Sequence, residues 1–221
     1  MTAILRPGQR IHQIPAIGVQ TSRRAVASAN PYAAYFDHLW IAKGAASLAA
    51  SYADVVGTQT LNPLVAPSLA ANGWVYTGTE YLDTGIAALA TYSVMVRCTA
   101  WTGFNGNAFG ATSAVSGHQF RIQTAQAGGS ISWVNRTLVS ESTGTVTDSI
   151  FSIVGLTAYR GTTAKGSISG VAEATRSLYI GAIHAATAGS LFTGTIAALG
   201  IKAATWNGTD QAAAHALLAA L

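Results

Sequence analysis

The sequence predicts an all-β sandwich, or jelly roll, preceded by an extended arm and closed by a short helix. Three observations carry that reading. After Asn72, short runs alternate apolar and polar residues with period two, the mark of half-buried strands. Glycine-containing breaks at 103–106, 128–129 and 160–161 separate these runs. A sustained helical stripe occurs only at the C-terminal end, so strands greatly outnumber helices.

The elements follow in chain order. Residues 1–35 hold Pro7, Gly8, Pro15 and Gly18, show no period and read as an extended arm. Arg6, Arg10, Arg23 and Arg24 all precede the first acid, Asp37, so the arm is basic and suited to docking on a partner. Residues 36–221 form the sandwich domain. Leu48, Tyr52 and Val55 have helical spacing, and Gly44 and Gly57 make a loop the competing reading. In TYSVMVRCTAW, Tyr92, Val94, Val96 and Cys98 share one face; Ser93, Met95, Arg97 and Thr99 share the other. Cys98 is thereby expected as an inert core residue. HQFRIQTA turns Phe120 and Ile122 inward, and GSISWVN turns in Ile131 and Trp133 or their neighbours. SIFSIVGLTAY is apolar on both faces, as a central strand is. RSLYIGAI and FTGTIAALGIKAA complete the strands. At the end, Thr209 caps a helix and Asp210 suits its N-terminal dipole. Ala214, Leu217, Leu218 and Leu221 give this helix an apolar stripe, which places it across one end or edge of the sandwich.

Composition narrows the function. A chain of 221 residues suits one sizeable domain. Charged residues make up 9% of it, against a usual ~25%. The surface is therefore small, neutral and hydroxylated, which favours packing in an assembly over a free domain with a Thr/Ser-coated sheet. A net charge of +4 from 12 Lys+Arg is too weak to imply nucleic acid. One cysteine excludes an internal disulfide. The Pro-Gly in MTAILRPGQR breaks any apolar leader, and the Ala/Leu tail is too short to span a bilayer. Synthesis in a host cytoplasm without membrane insertion is expected. The glycosylation patterns at Asn135 and Asn207 then lack a secretion route.

WVYTGTEYLDTGI (74–86), YSVMVR, FGATSAVSGHQFRI, FSIVGLTAYRG, LYIGAI and FTGTIAALGIKAATW occur in an order that resembles the concanavalin A-like lectin/glucanase fold, in its laminin-G-like branch. In that branch an aromatic-x-Gly turn leads into a YLDTG-type strand and then a YSVMVR-type strand. An F-x-G-x-I strand before a short helix closes the domain. The resemblance covers residues 36–221 and implies a concanavalin A-like β-sandwich. It implies little about function, because one fold hosts many. Single domains of this kind with small-residue composition and an N-terminal arm also resemble bacteriophage virion components. Laminin-G-like domains often bind calcium, but Asp83 has no evident partner acid to complete such a site, so no metal or cofactor is expected.

Glycosidic cleavage needs two carboxyls, about 5–5.5 Å apart for retention or ~6.5–9.5 Å for inversion. The glucanase branch carries E-x-D-x-x-E on one strand, and this chain has no such run. Glu80 and Asp83 are three apart, so a regular strand sends them to opposite faces, roughly 10 Å apart. Glu141, Asp148, Glu173 and Asp210 are single acids in or near turns, which only a bulge or a cross-strand meeting could pair. No G-x-S-x-G elbow occurs. His12, His38, His118, His184 and His215 lack metal-ligand spacing. Sugar binding fits better. WTGFNGN offers Trp101, Phe104, Asn105 and Asn107, and WVNR offers Trp133, Asn135 and Arg136, as rings to stack on a sugar and polar groups for its hydroxyls. The competing reading puts both tryptophans in the core and the asparagines in turns. Trp40, Trp74 and Trp206 are read as packing residues. Within the opening stretch of the domain, Tyr76 with Tyr81 or Leu82 anchors the core, and Gly78 makes the turn.

The expectation is a non-enzymatic bacteriophage virion structural protein. Its arm docks on other virion proteins and on copies of itself in a homo-oligomer. It displays a lectin-like domain to host glycans, as a tail or baseplate adhesin or a capsid decoration. The competing class is a glycosidase of the same fold.

Overall fold

The computed structural model describes residues 30–87, 89, 91–101, 105–112, 119–124, 130–135, 137–142, 146–168, 176–185 and 188–221. The elements are β1 (His38–Ile41), α1 (Leu48–Ser51), β2 (Asn62–Val65), β3 (Ser68–Ala70), β4 (Gly73–Thr77), β5 (Tyr81–Ala87) and β6 (Ser93–Trp101). They continue as β7 (Asn107–Thr112), β8 (Gln119–Thr124), β9 (Ser130–Asn135), β10 (Thr137–Ser142), β11 (Val146–Val154), β12 (Thr157–Arg160) and β13 (Thr163–Ser167). The last are β14 (Ser177–Ile180), β15 (Ile183–His184), β16 (Ala188–Gly189), β17 (Thr193–Lys202) and α2 (Gly208–Ala219).

These strands build two sheets, so the expected sandwich with a C-terminal helix is what forms. The first sheet runs β13-β12-β11-β6-β17-β4-β3, with β1 also on β17. The second runs β10-β9-β8-β7-β14-β5-β2, with β15 and β16 beside it. Pairing is antiparallel except where β15 meets β7 through His184 and Ala111. Between the sheets lie Trp40, Trp74, Tyr76, Phe109, Phe120, Trp133, Phe151 and Phe192, all essentially without solvent exposure. Cys98 is buried among them, and burial pushes its thiol far above the ordinary range. The glycine of the F-x-G-x-I strand is explained by contact. Gly194 has φ 149°, and a Cβ there would stand 2.3 Å from the Ala100 carbonyl oxygen.

β6 is buried on both faces. Val94, Val96 and Cys98 point into the main core, as alternation predicts. Met95 points the other way, into a second core with Phe36, Leu39, Ile150, Val154, Trp206, Ala214 and Leu218. α2 therefore lies on the outer face of the first sheet, against β6 and β11, and not across an end or edge. The apolar outer residues of those two strands draw its Ala214–Leu218 stripe there. Its cap is Asn207, whose Oδ1 accepts from the Asp210 N–H at 2.9 Å, two residues before the expected Thr209. The helical spacing at 48–55 yields one turn only, capped by Ser47. A bridge between Ala53 and Thr60 then closes the loop.

Arg97 is 6% exposed on the outer face of β6. Its Nε and Nη2 donate to Asp148 Oδ1 and Oδ2 at 2.8 and 2.7 Å. Its Nη1 donates to the Leu218 and Ala219 carbonyls at 2.8 and 3.1 Å, filling acceptors that the end of α2 leaves open. Asp148 is reachable because it leaves the strand pattern, with φ at 42° and no partner between Thr147↔Ala100 and Ser149↔Cys98. Tyr32 and Tyr35 pack on the second core. The rest of the arm, with Arg6, Arg10, Arg23 and Arg24, lies outside the described residues.

Removing the guanidinium should loosen the helix from the sheet. Arg97→Ala is expected to cost about 1–3 kcal/mol, chiefly because it leaves two helix carbonyls without their donor, the exposed Asp148 being resolvated by water. Urea unfolding checks this, and a loss no larger than that of Asp148→Ala would limit Arg97 to the ion pair.

Candidate functional site

The expected sugar-binding residues do not converge. Trp101 ends β6 at 3% exposure, with ring centroids 5.7 Å from Phe151 and 5.0 Å from Phe192. Trp133 is fully buried, 6.1 Å from Phe151. Neither ring is free to stack on a sugar, which corrects that expectation. Trp133 follows the inward alternation of β9. Trp101 is turned in beside Val146 beyond the lapse in pairing at Asp148, a flip that period-two counting misses. Asn107 is also buried and donates from Nδ2 to the Ser190 carbonyl at 3.0 Å, a structural bond. Asn105 is exposed, at φ 58°, and its carbonyl accepts from Gln123 Nε2 at 3.4 Å. Asn135 pairs through its backbone with Phe120 and Thr137. Phe104 and Arg136 lie outside the described residues.

The acid pair of WVYTGTEYLDTGI separates. Glu80 closes the turn between β4 and β5. Its carboxylate accepts from the Thr77 N–H and hydroxyl at 2.6 and 2.7 Å and from the Thr79 hydroxyl at 3.0 Å. Partial burial raises its pKa, but these bonds outweigh that and bring it down to about 2. It is a turn fastener, unsuited to proton transfer near neutrality. Asp83 lies on β5, where its Oδ1 accepts from the Gly85 N–H at 2.9 Å.

Alternation along β5 puts Leu82 and Thr84 into the core and turns Tyr81 and Asp83 outward. Of the two alternatives Tyr81 or Leu82, Leu82 is therefore the core anchor, and Tyr81 is half-buried on the outer face of the second sheet. There it stacks with Tyr179 at 5.2 Å between centroids. His184 also stacks on Tyr179, at 3.8 Å between centroids and with rings 11° from parallel. The His184 Nδ1 donates to the Ser177 carbonyl at 2.9 Å, which fixes the ring. Asp83 sits opposite both Tyr179 and Asn62 in the pairing. Tyr179 is itself buried, so the half-buried Tyr81 and His184, with a carboxylate and an amide at the margin, form the surface that sugar recognition can use. The period-two pattern of YLDTG was the available signal for it.

A second feature is a cleft of about 380 Å³ where β10 of one sheet nears β13 of the other. Glu141, Asp148, Arg160, Lys165 and His215 line it. Lys165 Nζ lies 2.9 Å from Glu141 Oε1, and Arg160 Nη1 lies 3.6 Å from it. Two acids read as isolated thus share one cleft, by the cross-strand meeting that sequence spacing alone leaves open. Arg97 holds the Asp148 carboxyl below its usual range. Burial, then the Arg97 charge, lowers the His215 pKa, so its imidazole is neutral near pH 7. Among the described residues no three His, Cys, Asp or Glu side chains gather as a metal site.

No family model and no curated protein matches this chain in sequence. Solved structures match in shape. Domain 4 of AbnA, a GH43 extracellular arabinanase from Geobacillus stearothermophilus, solved with arabinotriose, gives TM-score 0.56 at 14% identity. That match covers 81% of this chain and 98% of that one. The Trypanosoma rangeli sialidase with 2,3-difluorosialic acid gives 0.56 at 8% identity, over 82% of this chain and 33% of that one. A mutant of the same sialidase with trans-sialidase activity gives 0.55 at 8%, over 84% and 34%. This chain thus matches a whole arabinanase domain but spans about a third of the sialidases. At such identities the likeness establishes the fold, a two-sheet sandwich consistent with the concanavalin A-like resemblance. It also overturns the non-enzymatic expectation, since these matches are a domain of an arabinanase and parts of two sialidases. Nothing in these comparisons supports the virion setting.

The Glu80 turn makes a pH prediction. A carboxyl with a depressed folded pKa contributes stability that is full above its unfolded value, near 4.5, and is lost as pH falls through about 2. The stability gap between the wild type and Glu80→Gln should therefore be constant above pH 5 and shrink toward pH 2. Denaturant titrations along that range measure it; a gap unchanged at pH 2 would contradict the assignment.

Proposed function

We propose that this chain is a glycan-binding β-sandwich of a carbohydrate-active protein, and that it holds sugar on the outer face of the second sheet. The observation that carries this is the Tyr81–Tyr179–His184 stack with Asp83 and Asn62 at its margin. The apolar face of a pyranose or furanose ring packs on an aromatic surface, and flanking polar groups select its hydroxyls. The arabinanase domain of matching shape, solved with arabinotriose, supports the reading. Tyr81→Ala should weaken retention of arabinotriose, or of the best ligand on a glycan array, by about tenfold. Its thermal unfolding should stay near that of the wild type, because Tyr81 lies outside both cores. Undiminished retention would overturn the placement.

A second reading, hydrolysis by the domain itself, is favoured by Glu141 and Asp148 lining one cleft. Under it Asp148, which Arg97 keeps ionised, takes the nucleophile or base role and Glu141 is its partner carboxyl. Reducing ends released from arabino- or sialo-oligosaccharides should then disappear in Glu141→Gln. No release by the wild type would leave binding as the function of this chain.

A further inference from the structure

Arg121 lies on β8 between Phe120 and Ile122, both fully buried in the main core, so it projects to the outer face of the second sheet. Its cross-strand neighbours are Gly110 on β7 and Val134 on β9, and neither side chain can accept a hydrogen bond. Ile183 rides over Gly110, within 3.2 Å of where a Cβ would be, and helps cover the site from above. The Arg121 Nε is buried without an acceptor. Burial acts on this guanidinium with no charge partner to offset it.

The acid inventory leaves Arg121 no partner among the described residues. The chain has 8 Asp and Glu. Asp37 pairs with Lys202, Asp54 with His38, Asp148 with Arg97, and Glu141 with Lys165 and Arg160. Glu80 and Asp83 bond their own turns, and Asp210 joins the cap of α2. Glu173 is the one acid outside the described residues. A guanidinium cannot discharge itself by losing a proton, so an unpaired, largely desolvated one carries a standing cost that an anion would relieve. Its planar fork matches a carboxylate.

The surroundings are those of a sugar site. Gln119 and Gln123 flank Arg121 on the same face, and Ser132 and Ser140 join hydroxyls at 2.9 Å beside them. Gly110 separates Arg121 from Tyr179 by two strand spacings, about 10 Å. We infer that Arg121 is the anion-binding group of a subsite for carboxylate-bearing sugars, adjoining the aromatic stack on the same face. The inference rests on the glycan-binding reading and adds the ligand class: an acidic oligosaccharide, its carboxylate on Arg121 and its hydroxyls on the flanking amides.

The test compares trigalacturonate with its methyl ester, and 3′-sialyllactose with lactose, by calorimetry on the full chain. The acidic member of at least one pair should bind about tenfold more tightly, and the advantage should shrink as salt is raised. Arg121→Gln should erase the preference while leaving the melting temperature unchanged or higher, since it removes an unpaired charge. Arg121→Lys should keep part of the preference, and Tyr81→Ala should weaken acid and neutral probes alike. Equal binding of acid and neutral partners by the wild type would overturn the role of Arg121 and leave glycan binding intact. Binding of no probe by any variant would overturn both. A charge preference that appears only in Glu173→Gln would assign the chain's own carboxylate to Arg121 and overturn a free subsite.

Discussion

The architecture depends on a strand that has no solvent side. β6 gives Val94, Val96 and Cys98 to the space between the sheets and Met95 and Arg97 to the space beneath α2. A charged residue in so dry a place is tolerable only if it is paired and hydrogen-bonded. Arg97 makes four such bonds, two to Asp148 and two to the last carbonyls of α2. Sheet, helix and the irregular residue of β11 are thereby tied at one point. The same tie keeps Asp148 ionised and positioned at the mouth of the cleft.

That arrangement leaves the two outer faces unequal. The first sheet is roofed by α2 and by Phe36, Leu39 and Trp206, and the Trp206 indole N–H donates to the Tyr35 carbonyl at 2.8 Å. Among the described residues the second sheet carries only the short β15–β16 hairpin over its outer side. Recognition is therefore expected on the second sheet, where half-buried rings and polar side chains meet solvent. The scarcity of charge sharpens this. When every described carboxylate is already spent on a local partner, a buried guanidinium nitrogen without an acceptor, as at Arg121, stands out.

The strand alternation was legible in the sequence. Phe120, Ile122, Ile131, Val94 and Val96 lie inward as period two requires, and the C-terminal stripe of Ala214 and Leu218 is buried. Other features leave no periodic trace. Alternation breaks near Asp148 on β11 and at the register shift of β17 against β6, so Trp101 looks like a loop residue by position and is a core residue in fact. Asn207 and Thr209 are both competent caps two residues apart, and only the helix start distinguishes them. Glu141 and Asp148, from strands of different sheets, line one cleft, a relation that no local spacing encodes. Tyr81 is the instructive case. Its alternation with Leu82 pointed outward, but the tendency of large aromatics to fill cores weighed against it.

Cys98 gives the sandwich a property of a different kind. Its sulfur lies at the closed centre of the main core, and desolvation keeps the thiolate out of reach under native conditions. Being the only sulfhydryl in the chain, it can be modified only when the two sheets part. The molecule thus carries an internal clock for its own opening. The pace at which an alkylating reagent consumes that single thiol reports how often the hydrophobic interior is breached, with no label added and no residue changed.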